Sequence, residues 1–181
     1  MEPLNPQPTT AFIGLGSNLG QRLDNLRRAC AALGKALGPL KCASEVFQTE
    51  PRLDLDQPAF LNAVVQVQTC LEPLEVLDQL QRIEQSLGRI KDPTRPKGPR
   101  LVDLDLLLLG QRRWADDRLQ VPHPGLHLRR FVLAPLAQIA PHRRVPGFEQ
   151  TVAELLASCP DQGWIESTGW TLDDDPLRIP S

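Results

Sequence analysis

Tyrosine is absent from the 181 residues, and aromatic side chains make up only 4% of them. A surface that reads RNA by stacking bases on rings is hard to build from so few, and no string of the kind that carries such rings occurs. Cationic charge is not in excess either, since 20 Lys and Arg stand against 22 Asp and Glu for a formal net charge of -2. Without a clustered surplus of Lys and Arg, neither general nucleic-acid affinity nor a polybasic membrane patch can be supplied, so any basic site is local. No apolar run approaches the ~18 residues that span a bilayer, and the polar, proline-rich residues 1–9 lack the apolar centre of a signal peptide. The four cysteines, Cys30, Cys42, Cys70 and Cys159, form no CxxC pair and no zinc spacing. They read as buried, reduced thiols, and the expected compartment is the cytoplasm. No internal repeat and no GxxxxGK[ST] phosphate loop is present.

What the chain does have is an ordinary globular composition, 41% apolar, at a length that suits one compact domain. The expected division is a flexible extension over 1–9, a single domain over 10–165 and a loose tail over 166–181. An apolar run over 10–15 ends in the glycine turn Gly14-Leu15-Gly16-Ser17-Asn18. Leu23, Leu26, Cys30, Leu33 and Leu37 then recur at helical spacing until Gly38-Pro39 stops them. Strand-type segments over 40–49 and 60–69 flank a long loop, a second helix runs from Pro73 to about Gly88, and a strand over 101–109 follows a polar, basic loop. A hairpin over 114–121 and short helices over 131–139 and 151–159 complete the reading. The order βαββαβ predicts an α+β fold with helices on one face of a mainly antiparallel sheet.

The sharpest chemical feature is Gly98-Pro99-Arg100-Leu101-Val102-Asp103-Leu104-Asp105-Leu106. Strand alternation puts Asp103 and Asp105 on one side and Val102, Leu104 and Leu106 on the other, with the two Cα atoms roughly 6–7 Å apart. Two carboxylates so placed in an apolar segment repel and lose hydration unless a cation or a basic partner neutralises them. They suit Mg²⁺, which binds through one or two carboxylates plus substrate phosphates. Solvent exposure on an edge strand, or pairing with nearby arginines, is the competing reading. The neighbourhood favours a phosphate site: Arg89, Lys91, Arg95, Lys97 and Arg100 precede the strand, and Arg118, His123, Arg129 and Arg130 follow it. On the second helix Leu74, Val76, Leu77, Leu80, Ile83 and Leu87 form one apolar arc, with Glu84 inside it and Gln81 near its edge. A carboxylate on the core side must meet either a buried arginine or a ligand cleft.

Four ordered blocks resemble the 6-hydroxymethyl-7,8-dihydropterin pyrophosphokinase family. They are Ile13-Gly14-Leu15-Gly16-Ser17-Asn18-Leu19, Gln57-Pro58-Ala59-Phe60-Leu61-Asn62-Ala63, Gly98-Pro99-Arg100 with Asp103-Leu104-Asp105, and Val121-Pro122-His123-Pro124 with Arg129-Arg130-Phe131-Val132-Leu133. The resemblance implies a ferredoxin-like core that binds MgATP and the pterin in one valley. The β,γ-pyrophosphoryl group passes to the 6-hydroxymethyl oxygen, leaving AMP. By position, Asp103 and Asp105 would hold two Mg²⁺ ions and act in catalysis with Arg89 and Arg100. His123, Arg118, Arg129, Lys91, Lys97, Gln81 and Glu84 would join Arg89 and Arg100 on the nucleotide side. Phe60 and Phe131 would sandwich the pterin, Thr49 and Asn62 would bond its edge, and Pro51 and Arg52 would lie beside it. A monomer without nucleic-acid or membrane partners is implied. The sequence departs from the family's pattern in four ways: the loop over 90–97 is one residue longer, Lys97 stands where a tryptophan can occur, the loop over 50–57 lacks the glycine often found there, and Pro124 replaces an aromatic residue. The alternatives are another two-metal phosphotransferase or hydrolase, and a ferredoxin-like binding module.

Overall fold

The computed structural model describes residues 7–52, 55–90, 93–96 and 98–173. Its frame is three long antiparallel strands, β1 (Thr9–Ser17), β4 (Phe60–Thr69) and β5 (Asp103–Leu109), joined by the shorter β2 (Leu40–Ala43), β3 (Phe47–Thr49) and β8 (Ile165–Ser167). The sheet order is β5-β1-β4-β3-β8, with β2 also on β4. β6 (Trp114–Ala115) and β7 (Gln120–Val121) form a separate hairpin.

Alternate residues of the long strands, such as Ala11, Ile13 and Leu15 with Leu61, Ala63, Val65 and Leu104, are buried on one face. The apolar stripes of α1 (Arg22–Ala36) and α2 (Pro73–Ser86) cover them through Leu26, Ala29, Leu33, Val76 and Leu80. Proline at the first position starts α2, and the Glu75 carboxylate accepts from the Glu72 N–H at 2.8 Å. After α1 the chain turns at Gly38 with φ +133°, where a Cβ would lie 2.2 Å from the Gln68 carbonyl oxygen. Only glycine fits that turn.

Four expectations need correction. Helices cover both faces, because Phe12, Val64, Leu107 and Leu108 make a second apolar patch. It meets α3 (Arg130–Ile139) and α4 (Val152–Ala157) through Val132, Leu133, Leu136 and Leu155. The segment over 40–49 is two strands, since Ser44 exchanges hydrogen bonds with Val64 through its own side chain as well as its backbone and breaks the ladder. The loose tail does not begin at 166: β8 pairs with β3, Thr49 opposite Ile165, and Leu172 is buried in the main core. Residues 174–181 lie outside the described residues. All four cysteines are free, but only Cys30 and Cys159 are buried, while Cys70 is exposed. Among the described residues no helix is long and apolar enough to cross a membrane.

Candidate active site

α3 and α4 cover only one end of the second sheet face. The other end is the floor of a cleft of ≈ 520 Å³, where Asp103 and Asp105 of β5 lie beside Gly16 and Gly14 of β1. Those glycines belong to the strand, not to a turn as the sequence suggests. A Cβ at Gly16 would come within 3.0 Å of Asn62 Oδ1 and 4.0 Å of Asp103 Cβ, so their missing side chains keep the floor open.

The two aspartates are treated differently. Asp103 is held by two guanidinium groups, Oδ1 at 2.8 Å from Arg89 Nη1 and Oδ2 at 2.8 Å from Arg100 Nη1. Among the described residues Asp105 pairs with His123 Nε2 alone, at 3.9 Å, and its side chain is 41% exposed to the cleft. Its carboxyl nonetheless sits on the cleft floor with protein packed on most sides, and this partial loss of hydration, and next the Asp103 charge, raise it above the usual carboxylate range, with Arg129 opposing only in part. The His123 backbone N–H donates to the Leu107 carbonyl at 2.9 Å, fixing the residue to the strand. Its Nδ1 accepts from the Gly125 N–H at 3.1 Å, which turns Nε2 toward Asp105.

Glu84 is 5% exposed and stands behind Arg89, pairing with its guanidinium and accepting the Leu104 N–H at 2.8 Å. Its carboxyl is raised by burial, which outweighs those two contacts. It is therefore a buried ion pair and not a cleft residue.

The cleft brings together Thr49, Arg52, Phe60, Asn62, Arg89, Arg100, Asp103, Asp105, His123, Arg129 and Phe131. Asn62 Nδ2 donates to Thr49 Oγ1 at 2.8 Å, and the Arg100 guanidinium carbon lies 5.7 Å from the centre of the Phe60 ring. Other expected residues stand elsewhere. Gln81 and Pro51 do not line the cleft, and Arg118 is tied at the surface to Asp78 of α2. Lys91 and Lys97 lie outside the described residues.

Sequence reasoning missed the role of Asn18, which is 1% exposed. Its Nδ2 donates to Gln57 Oε1 at 2.9 Å and to the Pro58 carbonyl at 3.0 Å, while its Oδ1 accepts the Arg100 N–H at 2.8 Å. One amide thus joins the two loops that flank the cleft. The available signal was a polar residue directly after an apolar strand, where a backbone group needs a partner.

Among the described residues no cluster of three or more His, Cys, Asp or Glu side chains is placed to hold a metal. Two aspartates on one strand face, with Asp105 open to the cleft, fit a hard divalent ion that completes its shell with phosphate oxygens and water.

Residues 12–141 match the model of the 7,8-dihydro-6-hydroxymethylpterin-pyrophosphokinase (HPPK) family. The chain belongs to the HPPK family. It is 38% identical to the 2-amino-4-hydroxy-6-hydroxymethyldihydropteridine pyrophosphokinase of Haemophilus influenzae, over 87% of this chain and 97% of that one. The enzyme of the same name from Pseudomonas aeruginosa is 40% identical over 84% and 93%. Folic acid synthesis protein fol1 of Schizosaccharomyces pombe is 38% identical over 84% of this chain, which spans only 21% of that longer protein. The fold matches the crystal structure of Plasmodium falciparum HPPK-DHPS with pterin and p-hydroxybenzoate at a TM-score of 0.67 and 15% identity, covering 86% of this chain and 44% of that one. Every cleft residue named above lies inside the HPPK match, whereas α4 and β8 lie beyond it.

Proposed function

We propose that the chain transfers pyrophosphate from MgATP to the 6-hydroxymethyl group of 6-hydroxymethyl-7,8-dihydropterin, giving AMP and the pterin diphosphate, in folate biosynthesis. One observation carries the reading: the Asp103–Asp105 floor, flanked by Arg89, Arg100, Arg129 and His123, opens into the same cleft as Phe60, Asn62 and Thr49. The first group suits a triphosphate and the second a flat polar heterocycle.

Arg89 and Arg100 each use part of their donor fork on Asp103, and the remaining N–H groups can meet phosphate oxygens. Asp103 and Asp105 would hold two Mg²⁺ ions. When bound, these neutralise phosphate charge and favour ionisation of the attacking hydroxyl. The protein's own groups orient the two substrates and exclude water, and no dedicated side-chain base is required. The enzyme works as a monomer, and its compartment is the cytoplasm, a placement supported by four free thiols that suit a reducing environment.

Incubation with ATP, Mg²⁺ and the reduced hydroxymethylpterin, followed by separation of the nucleotides, tests the proposal. AMP equal in amount to the pterin diphosphate is expected. ADP as the product would point to a different phosphotransferase, and ATP loss independent of the pterin would point to a hydrolase.

A further inference from the structure

Beyond α4 the chain crosses from α3 to the outer edge of the sheet, and Asp161 stands at the crossing. Its side chain is 7% exposed, yet it has a partner for both oxygens. Oδ2 accepts the Arg130 N–H at 2.8 Å and pairs with the Arg52 guanidinium, and Oδ1 accepts the Gly163 N–H at 2.9 Å. The Arg130 N–H belongs to the first turn of α3, where no helical partner exists and a negative charge is favoured. Burial works against ionisation, but the Gly163 and Arg130 amides and Arg52 together hold the carboxyl below its usual range.

Two of the three groups that Asp161 grips lead to the cleft. Arg52 lines it, and Phe131, next in the chain after Arg130, lines it from α3. Adjacent contacts tie the same crossing to β3 and its loop: the Trp164 N–H donates to Glu50 Oε1 at 3.0 Å, and Val46 exchanges backbone hydrogen bonds with Thr168 and Trp170 at 3.1 and 2.8 Å. An exposed Arg–Asp pair contributes little by itself. A buried carboxylate shared between a helix start and a loop can fix the relative placement of both.

We propose that Asp161 is a positioning residue: it sets the Arg52 guanidinium and the first turn of α3 in place before a ligand arrives, and so preorganises the two cleft walls. The kinetic consequence rests on the reading of this cleft as the pterin site; the structural one does not. Asp161→Asn keeps the size and removes the charge that holds Arg52. Amide hydrogen exchange of the full-length variant is expected to quicken at Glu50, Arg52 and residues 130–133 and to stay unchanged in β1 and β4. KM for the pterin should rise about ten-fold, the cost of a lost charge-assisted contact, while kcat and KM for ATP stay within about two-fold. In an Arg52→Gln background the same change should add less than it does alone, because the two residues act through one contact.

Gly163→Ala supplies a second variant in which the charge is kept. Its Cβ would lie 2.7 Å from Glu50 Oε1 and 3.0 Å from Asp161 Oδ1, so both carboxylates must shift. A smaller change of the same pattern is expected. Unchanged exchange in both variants, or a fall in kcat with KM for the pterin unmoved, would overturn the proposal. A parent chain that forms no AMP would instead remove the functional reading, and the exchange data alone would then decide whether Asp161 positions the walls.

Discussion

The two faces of one sheet do opposite things with the same three strands. On the face under α1 and α2, β1, β4 and β5 present Ile13, Leu15, Val65, Leu104 and their neighbours, and all are buried. On the other face the strands present Phe12, Val64, Leu107 and Leu108 to α3 and α4 at one end, and Gly14, Gly16, Asn62, Asp103 and Asp105 to the cleft at the other. Stability is therefore supplied by one and a half faces, and the remaining half is free to hold charge that no core would tolerate.

The sharpest way to break this comparison is at the floor. Asp103→Asn and Asp105→Asn should each lower AMP formation by about 10³-fold or more while the circular dichroism spectrum stays that of the parent. The ligand-free melts should then separate the two. Asp103→Asn loses its pairing with Arg89 and Arg100 and melts lower. Asp105 has a raised carboxyl in the fold, so the unfolded chain gives up its proton first as pH rises, and stability falls above the ordinary carboxylate range. Asp105→Asn removes that loss, so it should melt higher than the parent, and the gain should be larger above neutral pH than in acid. A gain that does not grow with pH would refute the assignment.

Next comes the covered face. Leu80→Ala under α2, where the residue is 1% exposed, should cost roughly 2–5 kcal/mol in denaturant unfolding and leave kcat/KM near that of the parent. Leu133→Ala, on α3 behind the cleft wall, should cost as much and also raise KM. Equal kinetic effects in both would deny the division between the faces.

Phe131 tests the boundary, since it both packs against the second core and lines the cleft. Phe131→Ala should raise the pterin Kd by about ten-fold more than the ATP Kd in calorimetry, with a moderate loss of stability. The smallest effect is expected at Glu84. In Glu84→Gln the amide oxygen still accepts the Leu104 N–H, and Arg89 keeps Asp103, so stability should change by less than about 1 kcal/mol. Glu84→Leu orphans that N–H and should cost roughly 1–3 kcal/mol. Thermal melts of the pair decide it.

The legible parts of the sequence were those with a period. Alternation through Val102-Asp103-Leu104-Asp105-Leu106 assigns the aspartates one face, and in the structure both line the cleft. The same rule fails at Leu107 and Leu108, which both serve the second face because the ladder with β1 shifts register between Phe12 and Ile13. Four leucines in a row carry no alternation, so nothing in them signals the bulge. The glycines at 14 and 16 look like a turn because glycine usually marks one, and only their register with the aspartates shows what their missing side chains leave room for. For Glu84 the helical arc poses the right alternatives, but the choice turns on Arg89, which lies past the end of α2. β8 was not legible because its polar residues join the sheet through backbone groups that composition does not reveal.

β5 is the last strand of the sheet, and its outer edge is closed by groups that are not strands: the Leu104 N–H donates to the Glu84 carboxylate of α2, and the Leu107 carbonyl accepts the His123 backbone N–H. An open edge invites pairing with another chain, and covering it with a helix or loop is a common defence. Glu84 and the loop that carries His123 therefore shield the strand from self-association. In Glu84→Leu, which frees the Leu104 N–H, light scattering during refolding should rise with protein concentration faster than in the parent.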